Sequence, residues 1–316
     1  MNRRELFKSA TAATVSVAAG AALLASDPDA VRAGAATRES PARALLPMPF
    51  IETRDRAGLF YRDWGVGKPV VFVHSWAVNS DLWQYQMVHL AANGFRCVAF
   101  DRRGHGRSTD PGRGYDFDTL ADDLAAVLDQ LNLRDVTLVG HSMGCAEIAR
   151  YLTRHGASRI SRIALVAPSL PFAMKTADNP DGVDKNALDA MRASWSRGEF
   201  PKWLGENARP FFAPETSQQM VDWGIRLCLQ TSLQAILECN RLDVEVDFRP
   251  ELPAIKVPTL IIHGDHDVSA PLDFTARRVA KLVPGSKLKI YEGGPHGLMF
   301  THTDQLNADL LDFVKS

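Results

Sequence analysis

The stretch Val136-Thr137-Leu138-Val139-Gly140-His141-Ser142-Met143-Gly144 constrains the fold of this chain more than any other. Its first residues have the length and composition of a fully buried strand, and helical spacing resumes after Gly144, so a sharp strand-to-helix turn falls on the G-x-S-x-G pattern. The demand is steric. For a serine hydroxyl to stand above the edge of a sheet, the chain must reverse within a few residues. Glycine at both ends lets neighbouring backbone come close, and the serine can then hold a strained conformation. Taken alone, the pattern describes a plain strand-helix turn equally well. Its surroundings decide between the two.

Those surroundings alternate strands with helices. The segment from Phe50 to Trp64 alternates on either side of Arg56-Ala57-Gly58 and reads as an antiparallel hairpin at a sheet edge. Val70-Val71-Phe72-Val73 is an unbroken apolar run of the kind found in strands covered on both faces, and a helix is expected over residues 80–92. Cys97-Val98-Ala99-Phe100 repeats the pattern and leads into a polar, Gly-rich turn. Leu120, Leu124, Val127, Leu128 and Leu131 then keep helical spacing, with Asp118 as the expected cap. Ile163-Ala164-Leu165-Val166, Thr259-Leu260-Ile261-Ile262 and Leu288 to Tyr291 are further strands, with helices expected over 271–282 and around Leu306, Leu310 and Phe313. This rhythm predicts an α/β chain with a mostly parallel sheet of about eight strands, covered on both faces through right-handed crossovers.

Between residues 171 and 250 the strands stop and only helical fragments recur, which predicts a helical cap inserted between two parts of the sheet domain, 41–170 and 251–316. Trp195, Phe200, Trp203, Phe211, Phe212 and Trp223 concentrate there. Each is expected to pack the cap against the sheet rather than to line a pocket.

In an open parallel sheet the loops after the strands converge on one edge, so residues far apart in sequence meet there. Ser142, an Asp of His263-Gly264-Asp265-His266-Asp267, and His296 of Pro295-His296-Gly297 each follow a strand, in the order Ser, acid, His. Together with His74-Ser75-Trp76 and Asp101-Arg102-Arg103-Gly104-His105-Gly106-Arg107-Ser108, these motifs give a chain that resembles the α/β-hydrolase family. Within it, the chain resembles the small bacterial branch of cofactor-free haloperoxidases (perhydrolases) and serine arylesterases. The resemblance runs from about residue 50 to the C-terminus. It implies that Ser142 is the nucleophile, His296 the base and Asp267, the second Asp of its motif, the acid. Among nine histidines, His296 is singled out by its glycine-flanked loop after the last strand. The backbone N–H groups of Trp76 and Met143 are the expected oxyanion hole. The Asp101 to Ser108 turn is expected to hold a loop in place without touching substrate. The implied activity is hydrolysis of small carboxylic esters or lactones through an acyl-enzyme, with peracid formation from a carboxylic acid and hydrogen peroxide as the alternative, and with no cofactor or metal. Ser75 stands where the family usually has Gly. Ala77 stands where many relatives have Pro, which points to hydrolysis as the main activity.

The net charge of −1 leaves no excess of either sign to draw nucleic acid or an anionic membrane, so the expected partner is a small-molecule ester or acid. Residues 1–40 differ from the rest: Arg3-Arg4 precedes a weakly apolar run over 9–25 and several small-x-small sites such as Ala33-Gly34-Ala35. This resembles a twin-arginine export signal, implying a periplasmic or extracellular protein without a stable membrane anchor. Such substrates fold in the reducing cytoplasm before export. Cys97, Cys145, Cys228 and Cys239, whose spacing fits no metal motif, are therefore expected to be free and mostly buried.

Overall fold

The computed structural model describes residues 49–316; the expected export signal lies outside them. Eight strands form one sheet in the spatial order β1-β2-β4-β3-β5-β6-β7-β8. They are β1 (Phe50–Glu52), β2 (Gly58–Trp64), β3 (Lys68–Val73), β4 (Phe95–Phe100), β5 (Val136–His141), β6 (Ile160–Val166), β7 (Thr259–Gly264) and β8 (Lys287–Tyr291). The expected hairpin is β1 and β2, paired Phe50 to Phe60, and β2 runs antiparallel to β4. All other pairings are parallel.

The unbroken apolar runs follow from burial on both faces. Val71, Val73 and Leu138 point into one core with Leu120, Leu124, Ile148 and Val279, whereas Val70, Phe72 and Val139 point into the other with Met87, Leu90, Leu306 and Leu310. The first core is covered by α2 (Phe117–Gln130), α3 (Met143–His155) and, further on, α8 (Ala276–Leu282); the second by α1 (Gln84–Ala92) and α10 (Thr303–Lys315), which follows the short α9 (Leu298–Thr301). Each such fully buried side chain contributes roughly 1.5–3 kcal/mol relative to exposure. No polar alternation survives in strands with two apolar neighbours.

Between β6 and β7 the chain makes four helices, α4 (Lys185–Ser194), α5 (Phe200–Asn207), α6 (Gln218–Cys228) and α7 (Leu233–Glu245). Three local expectations are corrected. The cap of α2 is Asp116, whose backbone is extended and whose side chain accepts from Thr119 N–H; Asp118 is already in the first turn. The helix expected over 271–282 begins only at Ala276, because the carbonyl of Ala270 is held by His263 and Thr275 and the intervening residues form turns. The segment over 80–92 opens as a 3-10 turn, Ser80–Trp83, before α1. All four cysteines are unpaired, three of them buried, and burial pushes the Cys97 thiol up to about 12. Among the described residues no helix is long and apolar enough to cross a membrane.

Candidate active site

The strand order reverses around β3. Its successor β4 lies on one side and β5 on the other, so the ends of β3 and β5 open a crevice between them. Trp76 follows β3 and Ser142 follows β5, so both stand at this crevice. Ser142 has φ 53° and ψ −118°, the strained turn that the elbow requires. A Cβ on Gly144 would lie 2.5 Å from the Val73 carbonyl oxygen, and one on Gly140 would lie 2.8 Å from Ile148. Glycine is therefore what lets α3 start directly against the end of β3.

Asp267 and His296 lie in the loops after β7 and β8. His296 Nδ1 donates to Asp267 Oδ2 at 2.6 Å. The other oxygen, Oδ1, accepts from the backbone N–H groups of Ser269 (2.9 Å) and Ala270 (2.8 Å). His263 adds Nε2 to Oδ2 at 3.1 Å. Burial by itself raises a carboxyl, but His296 and the hydrogen bond from His263 more than offset it and hold Asp267 well below the usual carboxylate range. Asp265 is elsewhere: its Oδ1 accepts from Gly293 N–H at 2.7 Å, tying the loop that carries His296 to the end of β7.

Ser142 and His296 both line a cavity of about 450 Å³, together with Trp76. No hydrogen bond joins the Ser142 hydroxyl to the His296 ring among the described residues. Two residues missed in the sequence steady this arrangement. His141 donates Nε2–H to the backbone carbonyl of His296 at 3.0 Å, and burial, with His296 beside it, keeps its ring neutral. Its local sequence carries no signal of this contact, which spans 155 residues. Glu147, on α3, receives Arg102 Nε at 2.8 Å, while the same guanidinium donates to the carbonyls of His74 (2.8 Å) and Ser75 (3.2 Å). Arg102 N–H donates to His74 Nε2, so His74 carries its proton on Nδ1 and gives it to the Ser75 carbonyl. The Asp101 to Ser108 turn thus does hold the loop containing Trp76, and Asp101 itself binds Ser80 and Arg107.

The N–H groups of Trp76 and of Met143, the first residue of α3, have no acceptor among the described residues. The Trp76 indole donates to the Ile236 carbonyl at 2.9 Å and stacks on Trp195. The aromatic cluster of the cap is divided. Trp195 and Phe200 are buried in packing, and Trp223 meets Phe300 and Tyr85. Trp203, Phe211 and Phe212, against expectation, line the cavity, because α5 and the turn after it lie over the crevice.

Residues 68–303 match the family model described as "alpha/beta hydrolase fold". The chain is 41% identical over 276 residues to a non-heme chloroperoxidase from Kitasatospora aureofaciens, covering 84% of this chain and 99% of the relative. It is 35% identical to a bifunctional esterase/perhydrolase from Acinetobacter calcoaceticus, covering 85% of this chain and all of the relative (100%). Among solved structures it superposes on an esterase from Exiguobacterium antarcticum with a TM-score of 0.81 at 32% identity, covering 84% of this chain and 99% of that one.

Proposed function

The chain belongs to the α/β-hydrolase family, in the branch of non-heme haloperoxidases and esterase/perhydrolases, and from that premise we propose that it is a serine hydrolase of small carboxylic esters or lactones. The observation that carries this reading is the 2.6 Å contact of Asp267 with His296, whose ring shares a cavity with a serine held in a left-handed turn. A serine hydroxyl is a poor nucleophile until its proton is removed in the attacking step. His296 Nε2 takes that proton as Ser142 Oγ bonds to the ester carbonyl carbon. Asp267 fixes the ring with its proton on Nδ1 and stabilises the imidazolium without accepting that proton. The N–H groups of Trp76 and Met143 receive the negative charge on the carbonyl oxygen, each worth roughly 10²- to 10³-fold in rate. His296 then protonates the leaving alcohol, and water, deprotonated by the same ring, releases the acid from Ser142. The Ser142 to His296 contact tightens when substrate fills the cavity, as such contacts commonly do.

A second reading has hydrogen peroxide in place of water at the last step, releasing a peracid. The names of the relatives favour it. One feature of this chain speaks for hydrolysis as the main reaction. Ala77 has φ 64°, a conformation closed to proline, and proline is the residue that the family resemblance led us to expect there in perhydrolysing relatives.

A fluorophosphonate probe followed by intact mass tests the nucleophile: one adduct on the wild type and none on Ser142→Ala are expected. His296→Ala should lower hydrolysis of phenyl acetate by about 10²- to 10⁴-fold, and a loss smaller than about tenfold would refute its role as base. In the same assay, peracid released from acetate and peroxide should form more slowly than phenyl acetate is hydrolysed.

A further inference from the structure

The cavity is walled mainly by apolar side chains, among them Trp203, Leu204, Phe211, Phe212, Leu227 and Phe300. One stretch of wall differs. Asp243, on α7, is the only carboxyl among the lining residues, and Ser169, in the segment after β6, and Asn240 stand with it. A carboxyl in apolar surroundings is costly unless it is engaged. This one forms no ion pair among the described residues, and burial raises it to about 6. Ser169 Oγ–H donates to Asp243 Oδ1 at 2.7 Å, leaving Oδ2 without a hydrogen-bond partner among the described residues. Asn240 sits three residues earlier on the same face of α7. Its Oδ1 is taken by Arg192 at 3.2 Å, and its amide N–H groups have no acceptor among the described residues. The wall therefore presents one acceptor and one donor side by side, in the cavity that also holds Ser142 and His296.

An acceptor beside a donor matches a group that both donates and accepts one hydrogen bond. A carboxylate on the substrate would meet like charge at Asp243, and an alkyl group would leave both polar groups unpaired. We propose that Asp243, Ser169 and Asn240 form a hydroxyl-recognition subsite, so that the preferred ester or lactone carries a free hydroxyl away from its scissile carbonyl. The proposal rests on the hydrolase reading above and names its substrate class. The substrate hydroxyl donates to Asp243 Oδ2 and accepts from Asn240, while Ser169 holds the carboxyl in place. Asp243 is a specificity residue here and takes no part in proton transfer at Ser142.

Two substrate pairs, each exchanging a hydroxyl for a methyl group, test this. They are phenyl 3-hydroxybutyrate against phenyl 3-methylbutyrate, and 2-hydroxyethyl butyrate against propyl butyrate. The wild type should favour the hydroxylated member of one pair in kcat/KM by about 10- to 100-fold, the worth of a hydrogen bond to a charged group. Which pair responds shows whether the subsite faces the acyl or the alcohol side. Asp243→Leu, which keeps the branched shape and removes the acceptor, should bring that ratio to about one whatever its absolute rate. Should Asp243→Leu fail to fold, Asp243→Asn reads the same ratio and should lower it at least severalfold. Turnover of all four esters with no preference beyond about twofold in the wild type, or a preference that survives both substitutions, overturns the subsite alone. Absence of turnover of all four by wild type overturns the subsite as stated, and if that protein also takes up no fluorophosphonate the hydrolase reading falls with it.

Discussion

Ser142 holds a left-handed backbone at a cost of roughly 1–3 kcal/mol, and the residues around it leave that conformation no room to relax. Gly144 is the clearest case. A methyl group there would press on the Val73 and His74 carbonyl oxygens at 2.5 and 2.8 Å, both of them backbone atoms that cannot swing away. Gly144→Ala gains up to about 1 kcal/mol of helix propensity, but overpacking of a close contact costs about 1–3 kcal/mol, so the variant should be less stable on balance. The displaced carbonyls belong to the loop that carries Trp76 N–H. We therefore expect kcat for phenyl acetate to fall by more than KM rises, measured by steady-state kinetics beside urea unfolding. At Asp267 the balance is different. His296 and the hydrogen bond from His263 outweigh burial, so it stays ionised well below neutral pH and the acid limb of activity cannot come from its titration.

At the scale of elements, the site depends on where helices start. α3 begins immediately after Ser142, so its first N–H has no partner within the helix. α2 is fixed by a cap instead. Asp116 accepts from Thr119 N–H and Oγ1–H at 2.8 Å each, whereas Asp118, half exposed, pairs with Arg150 and Arg154. A lost cap costs about 1 kcal/mol, and exposed ion pairs are worth about 0–1 kcal/mol. Asp116→Ala should therefore lower stability in urea by more than Asp118→Ala, with ester hydrolysis unchanged in both. Equal losses would show that the cap assignment is wrong. α8 starts late for the opposite reason: His263 and Thr275 both use the Ala270 carbonyl, and the turn so formed delivers Asp267 to His296.

Across the whole molecule, α3 and the loop of Trp76 are joined by a buried ion pair. Arg102 is 1% exposed and Glu147 0%, and burial raises the Glu147 carboxyl despite the guanidinium beside it. Its Oε1 has no partner, so the pair is not an optimal source of stability. Removing one member still leaves an uncompensated buried charge at a cost of about 3–5 kcal/mol. Glu147→Gln should lower stability by that order and also slow phenyl acetate hydrolysis about tenfold, since Arg102 then holds the His74 and Ser75 carbonyls less firmly. Stability lost with kcat unchanged would show that the pair serves the core alone.

The sheet, its two covering layers and the sequence order of the site motifs were all legible in the chain, because each rests on local terms. Apolar runs such as Val70 to Val73, short and bounded by turn residues, fit strands with two buried faces, and the glycines at 140 and 144 permit a tight turn between strand and helix. The preference for Asp267 over Asp265 came from family resemblance; its physical basis, the hydrogen bond to His296, is a contact between residues 29 apart. Nothing local marked His141 as the support of the His296 loop across 155 residues, Glu147 as the partner of Arg102 across 45, or Asp243 and Ser169, 74 apart, as neighbours on one cavity wall. Those pairings were decided by where the crossovers bring the strand ends together and by how α7 lies over them. A long-range contact of this kind leaves no period in the sequence; only the closed fold brings its members within hydrogen-bond distance.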